Sequence, residues 1–311
     1  MLKFLVPLIV LCAACGKAPL PVPEPAYFSL SWVYDSLTMV SDYDSTNIQV
    51  SDPLSVEESS GAVAAYDSAA MAWMINDSGN PASLFLVQTS DGSVLQELVL
   101  EGVQNIDWED VASYQDTLGQ RWLYIADIGD NLGLRSKVQV YRFQEPELLT
   151  LPLDGAQMAW IPQQLDTLEL TYPGVGRDAE ALFIDPNDGE LYVISKRETR
   201  NVLYQFSPDN PSPSLQPLGE FTLYLCTAAD AVALENTDST AIIVRNYDHL
   251  LLWTKHFSEP LVTAMQRVPR RISYAENELQ GECFWMTTRG DVFTASEEKG
   301  GELGRITRYL K

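Results

Sequence analysis

Five oxygen-bearing side chains, Ser60, Glu109, Glu180, Asp230 and Glu282, each open a similar stretch of this chain. They recur at intervals of roughly 50 residues, with one longer gap. Brought together, four ionised carboxylates about 5 Å apart would repel one another by about 3 kcal/mol per pair at an effective dielectric near 20. Raised pKa values, a wide water-filled channel or a bound cation would offset that repulsion. An all-oxygen set with one hydroxyl and neither imidazole nor thiolate suits a hard cation. A ring built from separate strands gives an adjustable, high-coordination cage, which favours Ca²⁺ over Mg²⁺. Ca²⁺ is therefore the expected cofactor; a solvated acidic channel and carboxyls that merely hydrogen-bond strand ends are the competing readings. Zinc fits poorly, because the two histidines, His249 and His256, lie on what reads as one strand and its continuation.

A second group of residues accompanies the first. The stretch "NIDWEDVASYQDTLGQRWLYIADIGDN" begins with Asp107, Glu109 and Asp110 around Trp108 and ends on Asp127, Asp130 and Asn131. In a metal-assisted hydrolase, Asp127 or Asp130 would be the base that activates water. Lys196, Arg197, Arg245 and Arg135 have two readings: ion pairs with the surrounding acids, or a pocket for an anionic ligand. "NDSGN" at 76–80 is first of all a turn, and "DPNDGE" at 185–190 a hairpin, although both resemble ion loops.

The elements that position these residues follow from the pattern around them. Beyond residue 55 helical periodicity is nearly absent, and short apolar or alternating runs recur between Gly, Pro, Asn and Asp. Stretches starting at Ser60, Glu109, Glu180, Asp230 and Glu282 each read as a polar start, a strand, a turn and a second strand with a polar end. That spacing and strand count predict an all-β chain: a single β-propeller of five blades, or six if "YFSLSWVYDSL" builds a further partial blade. Two β-sandwiches are the competing arrangement, but they do not predict a repeat in register across five segments. The last repeat stops after three strands, so a strand from residues 27–50, such as "TNIQV", is expected to close the ring and remove an exposed edge. In a propeller the first strands line the axis, and their beginnings share a face with the ends of the second strands. Asn76, Asp77, Asn131, Asn246 and Glu297 should then join the basic residues on one rim. Trp73, Trp108, Trp122, Trp253 and Trp285 are expected between blades.

Composition narrows the partners. The chain has 311 residues, is 46% hydrophobic and carries 43 acidic against 20 basic residues, a formal charge of -23. Such a charge repels nucleic acid and attracts cations, so no nucleic-acid partner is expected. Residues 1–15, "MLKFLVPLIVLCAAC", read as an export signal too short to span a membrane. Their end is similar to a lipoprotein cleavage box that would make Cys15 a lipidation site, with Cys12 where an aliphatic residue usually stands. Residues 16–26 are Pro-rich and suit an extended tether, leaving 27–311 for the propeller. The expected location is the bacterial cell envelope, in the outer membrane, held by a lipid anchor. Cys226 and Cys283 are an exported pair able to form a disulfide; two buried free thiols are slightly favoured.

Residues 57–300 resemble an uncharacterised group of exported bacterial β-propeller proteins through "NDSG", "DWEDVA", "IADIGDN", "DAEALFIDP" and "QGE". More distantly the arrangement is similar to phytase-like propellers. The order of Ser60, Glu109, Glu180 and Glu282 also resembles, in spacing and residue type alone, the calcium-activated nucleotidases, which implies a central Ca²⁺ held by Ser and Glu; Asp230 after "CTAA" departs from that pattern. Catalytic signatures such as Gly-x-Ser-x-Gly, His-Glu-x-x-His or a P-loop are absent. The functional expectation is an envelope-anchored module for binding or assembly, its partner a small anionic ligand or an envelope protein. The alternative is a metal-assisted hydrolase of phosphate esters, phosphoanhydrides or lactones.

Overall fold

The computed structural model describes residues 27–43, 47–209, 214–274, 278 and 280–310. The leader ending at Cys15 and the tether at 16–26 lie outside the described residues. No described helix is long and apolar enough to cross a membrane.

Five antiparallel sheets surround one axis. Blade one is built from Ser59–Ala64, Met71–Asn76, Ser83–Gln88 and Val94–Leu100; blade two from Trp108–Gln115, Arg121–Asp127, Val138–Gln144 and Leu165–Leu170. Blade three comprises Ala179–Ile184, Leu191–Ser195, Asn201–Phe206 and Gln216–Phe221; blade four Cys226–Ala233, Ser239–Asn246, Leu250–His256 and Arg270–Ile272. Blade five has Gly281–Met286, Val292–Ser296 and Ile306–Tyr309, and its outer strand is Ile48–Val50 from the N-terminal region. The ring therefore closes as the repeat predicts, with five blades. The segment that raised a sixth does not build one: Phe28–Leu30 runs parallel to Gln216–Phe221 as an extra edge strand of blade three. The long interval after Glu109 is explained similarly. Gln157–Trp160 runs parallel to the edge of blade one, and Leu165–Leu170 returns as the outer strand of blade two.

Each first strand is buried along most of its length because neighbouring blades pack on both its faces. The large aromatic residues sit in the wedges between blades. Trp285 stacks on Phe293 with ring centroids 5.0 Å apart, and fully buried Trp73 donates its indole N–H to Glu145 at 2.9 Å. Trp122 is only half-buried and lies under the Arg142 guanidinium. Cys226 and Cys283 are buried free thiols.

Buried and half-buried carboxylates tie neighbouring blades together around the axis. Asp110 accepts from the amides of Val111 at 2.8 Å, Leu182 at 2.9 Å and Ala229 at 3.4 Å, linking blades two, three and four. Asp230 accepts from Ala231 and from Met286 at 2.9 Å, linking blades four and five. Asp67 accepts from the Thr288 amide at 2.7 Å, joining blade one to blade five. The strands stand close enough that a Cβ on Gly61 would lie 2.6 Å from Asp110 Cα. Because that neighbour is backbone, Gly61→Ala should destabilise the protein by roughly 1–3 kcal/mol through overpacking. Denaturant titration checks this; an unchanged midpoint would show that the two blades can move apart freely.

Candidate metal centre

A β-bulge interrupts the pairing of every first strand with its second, always around the second residue of the strand. The register shifts fall between Ser59 and Gly61, Trp108 and Asp110, Ala179 and Ala181, Cys226 and Ala228, and Gly281 and Cys283. The residues between those pairs are Ser60, Glu109, Glu180, Thr227 and Glu282. A bulge leaves one residue outside the ladder and re-aims its side chain, and five equivalent bulges deliver five side chains to one end of the axis.

Carboxylate oxygens of Glu109, Glu180 and Glu282 lie within 4.8 Å of one another, as do those of Asp77, Asp107 and Glu109. Glu109 belongs to both trios. The buried Ser60 hydroxyl oxygen has no hydrogen-bond partner. Glu297, at the end of blade five's second strand, accepts from Gln280 at 2.6 Å through one oxygen and leaves the other buried and unpartnered. A Cβ on Gly129 would overlap Glu109 Oε1 and fall 2.5 Å from Asp107 Oδ2, so bare backbone at Gly129 lets these two carboxylates converge.

One cation is built in. The Lys196 ammonium pairs with Glu180 Oε2, lies 3.8 Å from Glu282 Oε1 and donates to the Tyr247 hydroxyl at 2.9 Å. Tyr247 in turn donates to Glu282 Oε1 at 2.7 Å, and Gln280 donates to the same oxygen at 3.2 Å. Burial, reinforced by carboxylate–carboxylate repulsion, pushes Glu109 and Glu180 well above the usual carboxylate range. The same causes bring Glu297 up to about 8 and Asp77 up to about 6, and raise Asp107.

Other candidates from the sequence lie elsewhere or are otherwise engaged. Asp230 is not on the axial ring. It sits three residues beyond the bulge of blade four, half-buried, with its carboxylate taken by backbone amides. The axial residue of that blade is Thr227, whose hydroxyl donates to the Gly281 carbonyl at 3.0 Å. A signal for Thr227 was available in the small flanks Cys226 and Ala228, which repeat Ala179 and Ala181 around Glu180.

Asp127 accepts from the amides of Ile106 and Asp107 and from Gln139, and pairs with Arg135 at 2.8 Å. Asp130 accepts from the amides of Leu134 at 2.9 Å and Arg135 at 2.7 Å. Such bonds hold the loop after blade two's second strand, and they engage the lone pairs that a general base would need. Arg135 also donates to the Gly129 carbonyl at 2.8 Å, and Arg197 binds Asp178 and Asn131.

Arg245 leaves the rim altogether. It is fully buried between blades four and five, where it binds Glu278, Tyr274 and the carbonyls of Cys283 and Ala295. Gly281 makes room for it, because a Cβ there would overlap the guanidinium. Sequence reasoning read 76–80 as a turn, placed Asp77 on the rim around the ring and did not assign Asp107 to the acidic centre; the loops before and after each hairpin bring both against Glu109.

No family model matches this chain, and no curated protein does. Among solved structures it is similar to Kuenenia stuttgartiensis hydrazine synthase at 12% identity and a TM-score of 0.39, over 83% of this chain and 64% of that one. The chain thus spans less than two thirds of that neighbour's length. The propeller assignment rests on the chain's own sheet order, and what the chain offers chemically is a buried acidic cluster able to hold a metal ion.

Proposed function

We propose that this protein is an envelope-anchored propeller whose acidic chamber binds Ca²⁺, and that it serves as a binding or assembly module. The carrying observation is the pair of carboxylate trios sharing Glu109, with Lys196 the one basic side chain ion-paired to them among the described residues. The orphaned oxygens of Ser60 and Glu297 add ligand capacity, and an all-oxygen donor set suits Ca²⁺. Lipidation at Cys15 and the tether at 16–26 would hold the domain at the outer membrane. A bound ion would present unfilled coordination positions to an anionic ligand or to a carboxylate of an envelope protein.

Engagement of Lys196, Arg197, Arg245 and Arg135 by acidic partners supports a module over a hydrolase. So does engagement of Asp127 and Asp130 by backbone amides. Calcium that binds the folded chain alone should stabilise it by about 2.7 kcal/mol at a hundredfold excess over its dissociation constant. Glu109→Gln should remove most of that gain, because both trios lose their shared carboxylate. Melting of chelator-treated protein with and without Ca²⁺ is the measurement, and identical curves would end the calcium reading. Turnover of phosphate esters, nucleotides or lactones that requires Ca²⁺ would replace the module with the hydrolase.

A further inference from the structure

We propose that the chamber seats its free cation off the axis, among Asp77, Asp107 and Glu109, because the axial seat among Glu109, Glu180 and Glu282 is already filled by the Lys196 ammonium. This inference rests on the calcium reading above and specifies where in the chamber the ion sits.

The two trios differ in what already satisfies them. On the axis, Glu180 carries the Lys196 ion pair, while Glu282 Oε1 receives Tyr247 and Gln280 and has Lys196 at 3.8 Å. Lys196 is itself fixed, 5.1 Å from the centre of the Tyr247 ring and hydrogen-bonded to its hydroxyl. A divalent ion entering this seat would have to expel an ammonium that pairs with one carboxylate and lies near a second, leaving it buried against the incoming ion.

Off the axis, no basic side chain pairs with Asp77, Asp107 or Glu109 among the described residues. Asp77 and Asp107 are half-buried and reach solvent, which gives an ion a path in and room to keep waters. Gly129 holds Asp107 and Glu109 together where any larger residue would part them.

A separate observation points to a ligand here. Glu297 is 7% exposed and leaves Oε1 with no partner. Gln280 donates to Glu282 Oε1 as well as to Glu297, the Glu298 amide donates to the Glu57 carbonyl and the Asp77 amide to the Glu58 carbonyl, so Glu297 stands beside Glu282 on one side and the segment that holds Asp77 on the other. A buried oxygen without a donor is costly unless a cation or a water it holds completes the shell. Three convergent carboxylates from two blades, with Glu297 nearby from a third and Glu109 as the bridge toward the axis, give the acid-rich, flexible cage that Ca²⁺ takes.

Isothermal titration of the chelator-treated full chain with Ca²⁺ tests this. Wild type should take up one ion. Asp77→Asn and Asp107→Asn should each weaken binding on the order of tenfold or more, since ligand charge count sets affinity; with chelator they should not lower the melting temperature, because each removes a carboxylate that its neighbours repel. Glu180→Gln should change the affinity by less than about threefold, as its carboxylate is spent on Lys196. Lys196→Met should raise the stoichiometry from one ion to two by vacating the axial seat. Binding that survives both aspartate variants and is lost in Glu180→Gln, or two ions in wild type, would overturn the off-axis assignment and leave the calcium module standing. No uptake by wild type would overturn both.

Discussion

Arg245→Met should cost about 3–5 kcal/mol of folding stability, the loss expected when one partner of a buried ion pair is removed. Arg245 has no exposed surface and donates to the carbonyls of Cys283 at 2.6 Å and Ala295 at 3.3 Å and to the Tyr274 hydroxyl at 2.6 Å, besides pairing with Glu278. Methionine matches the stem but supplies no donor. The variant would leave the Glu278 carboxylate with the hydroxyls of Tyr274 and Thr294 but without its counter-charge, and would remove the guanidinium donors from two strand carbonyls of blade five. For a domain of this size the melting temperature should fall on the order of 10 °C. A double variant, Arg245→Met with Glu278→Met, should recover part of the loss by removing the stranded charge. If the single variant melts like wild type, the guanidinium is not what joins blades four and five. Its effect on calcium uptake should be small, because its carboxylate partner is Glu278 and no member of either trio.

Metal-stripped protein should lose stability as pH rises from about 5 to 9, by several kcal/mol in total. Burial holds Asp77 up at about 6, Asp230 at about 7 and Glu297 at about 8, and pushes Glu109, Glu180 and Asp110 up as well. Each group keeps its proton in the folded chain at a pH where the unfolded chain has released it. Folding therefore takes up protons. The stability these groups contribute is complete below their ordinary values near pH 4 and is lost as pH climbs through the folded ones. Asp91, Asp116, Glu220 and Glu259 are lowered by hydrogen bonds and act in the opposite sense, but only in the acid range. Saturating Ca²⁺ should flatten the decline by compensating Glu109, Asp77, Asp107 and Glu297 in their ionised forms, while the contributions of Asp110 and Asp230 persist. Melting curves at pH 5, 7 and 9, with chelator and with Ca²⁺, give the comparison. Stability that rises with pH in chelator would show that the chamber carboxylates are ionised and compensated without a metal.

The five blades, the N-terminal closing strand and the axial placement of Glu109, Glu180 and Glu282 were legible in the sequence. Each depends on local pattern. Apolar runs of strand length, turn residues between them and a polar residue at the head of each repeat survive into the fold because the strand period and the hydrophobic face are properties of neighbouring residues. Buried Trp73, Trp108, Trp253 and Trp285 belong to the same class, since a propeller has wedges to fill and large apolar rings fill them.

Three things were decided by tertiary structure alone. Which residue of blade four meets the axis depends on a bulge, and a bulge shifts the side-chain alternation without leaving a periodic mark; an acid at Asp230 was the more visible choice than Thr227. Where a long side chain goes depends on the space beside it, so Arg245 turned into the wedge opened by Gly281 while Lys196 turned to the axis. How the charges are shared is also a matter of distance across blades. Residues far apart in the chain, such as Asp77 and Asp107, acquire raised pKa values only when closure of the ring sets their carboxylates within 4.8 Å of Glu109.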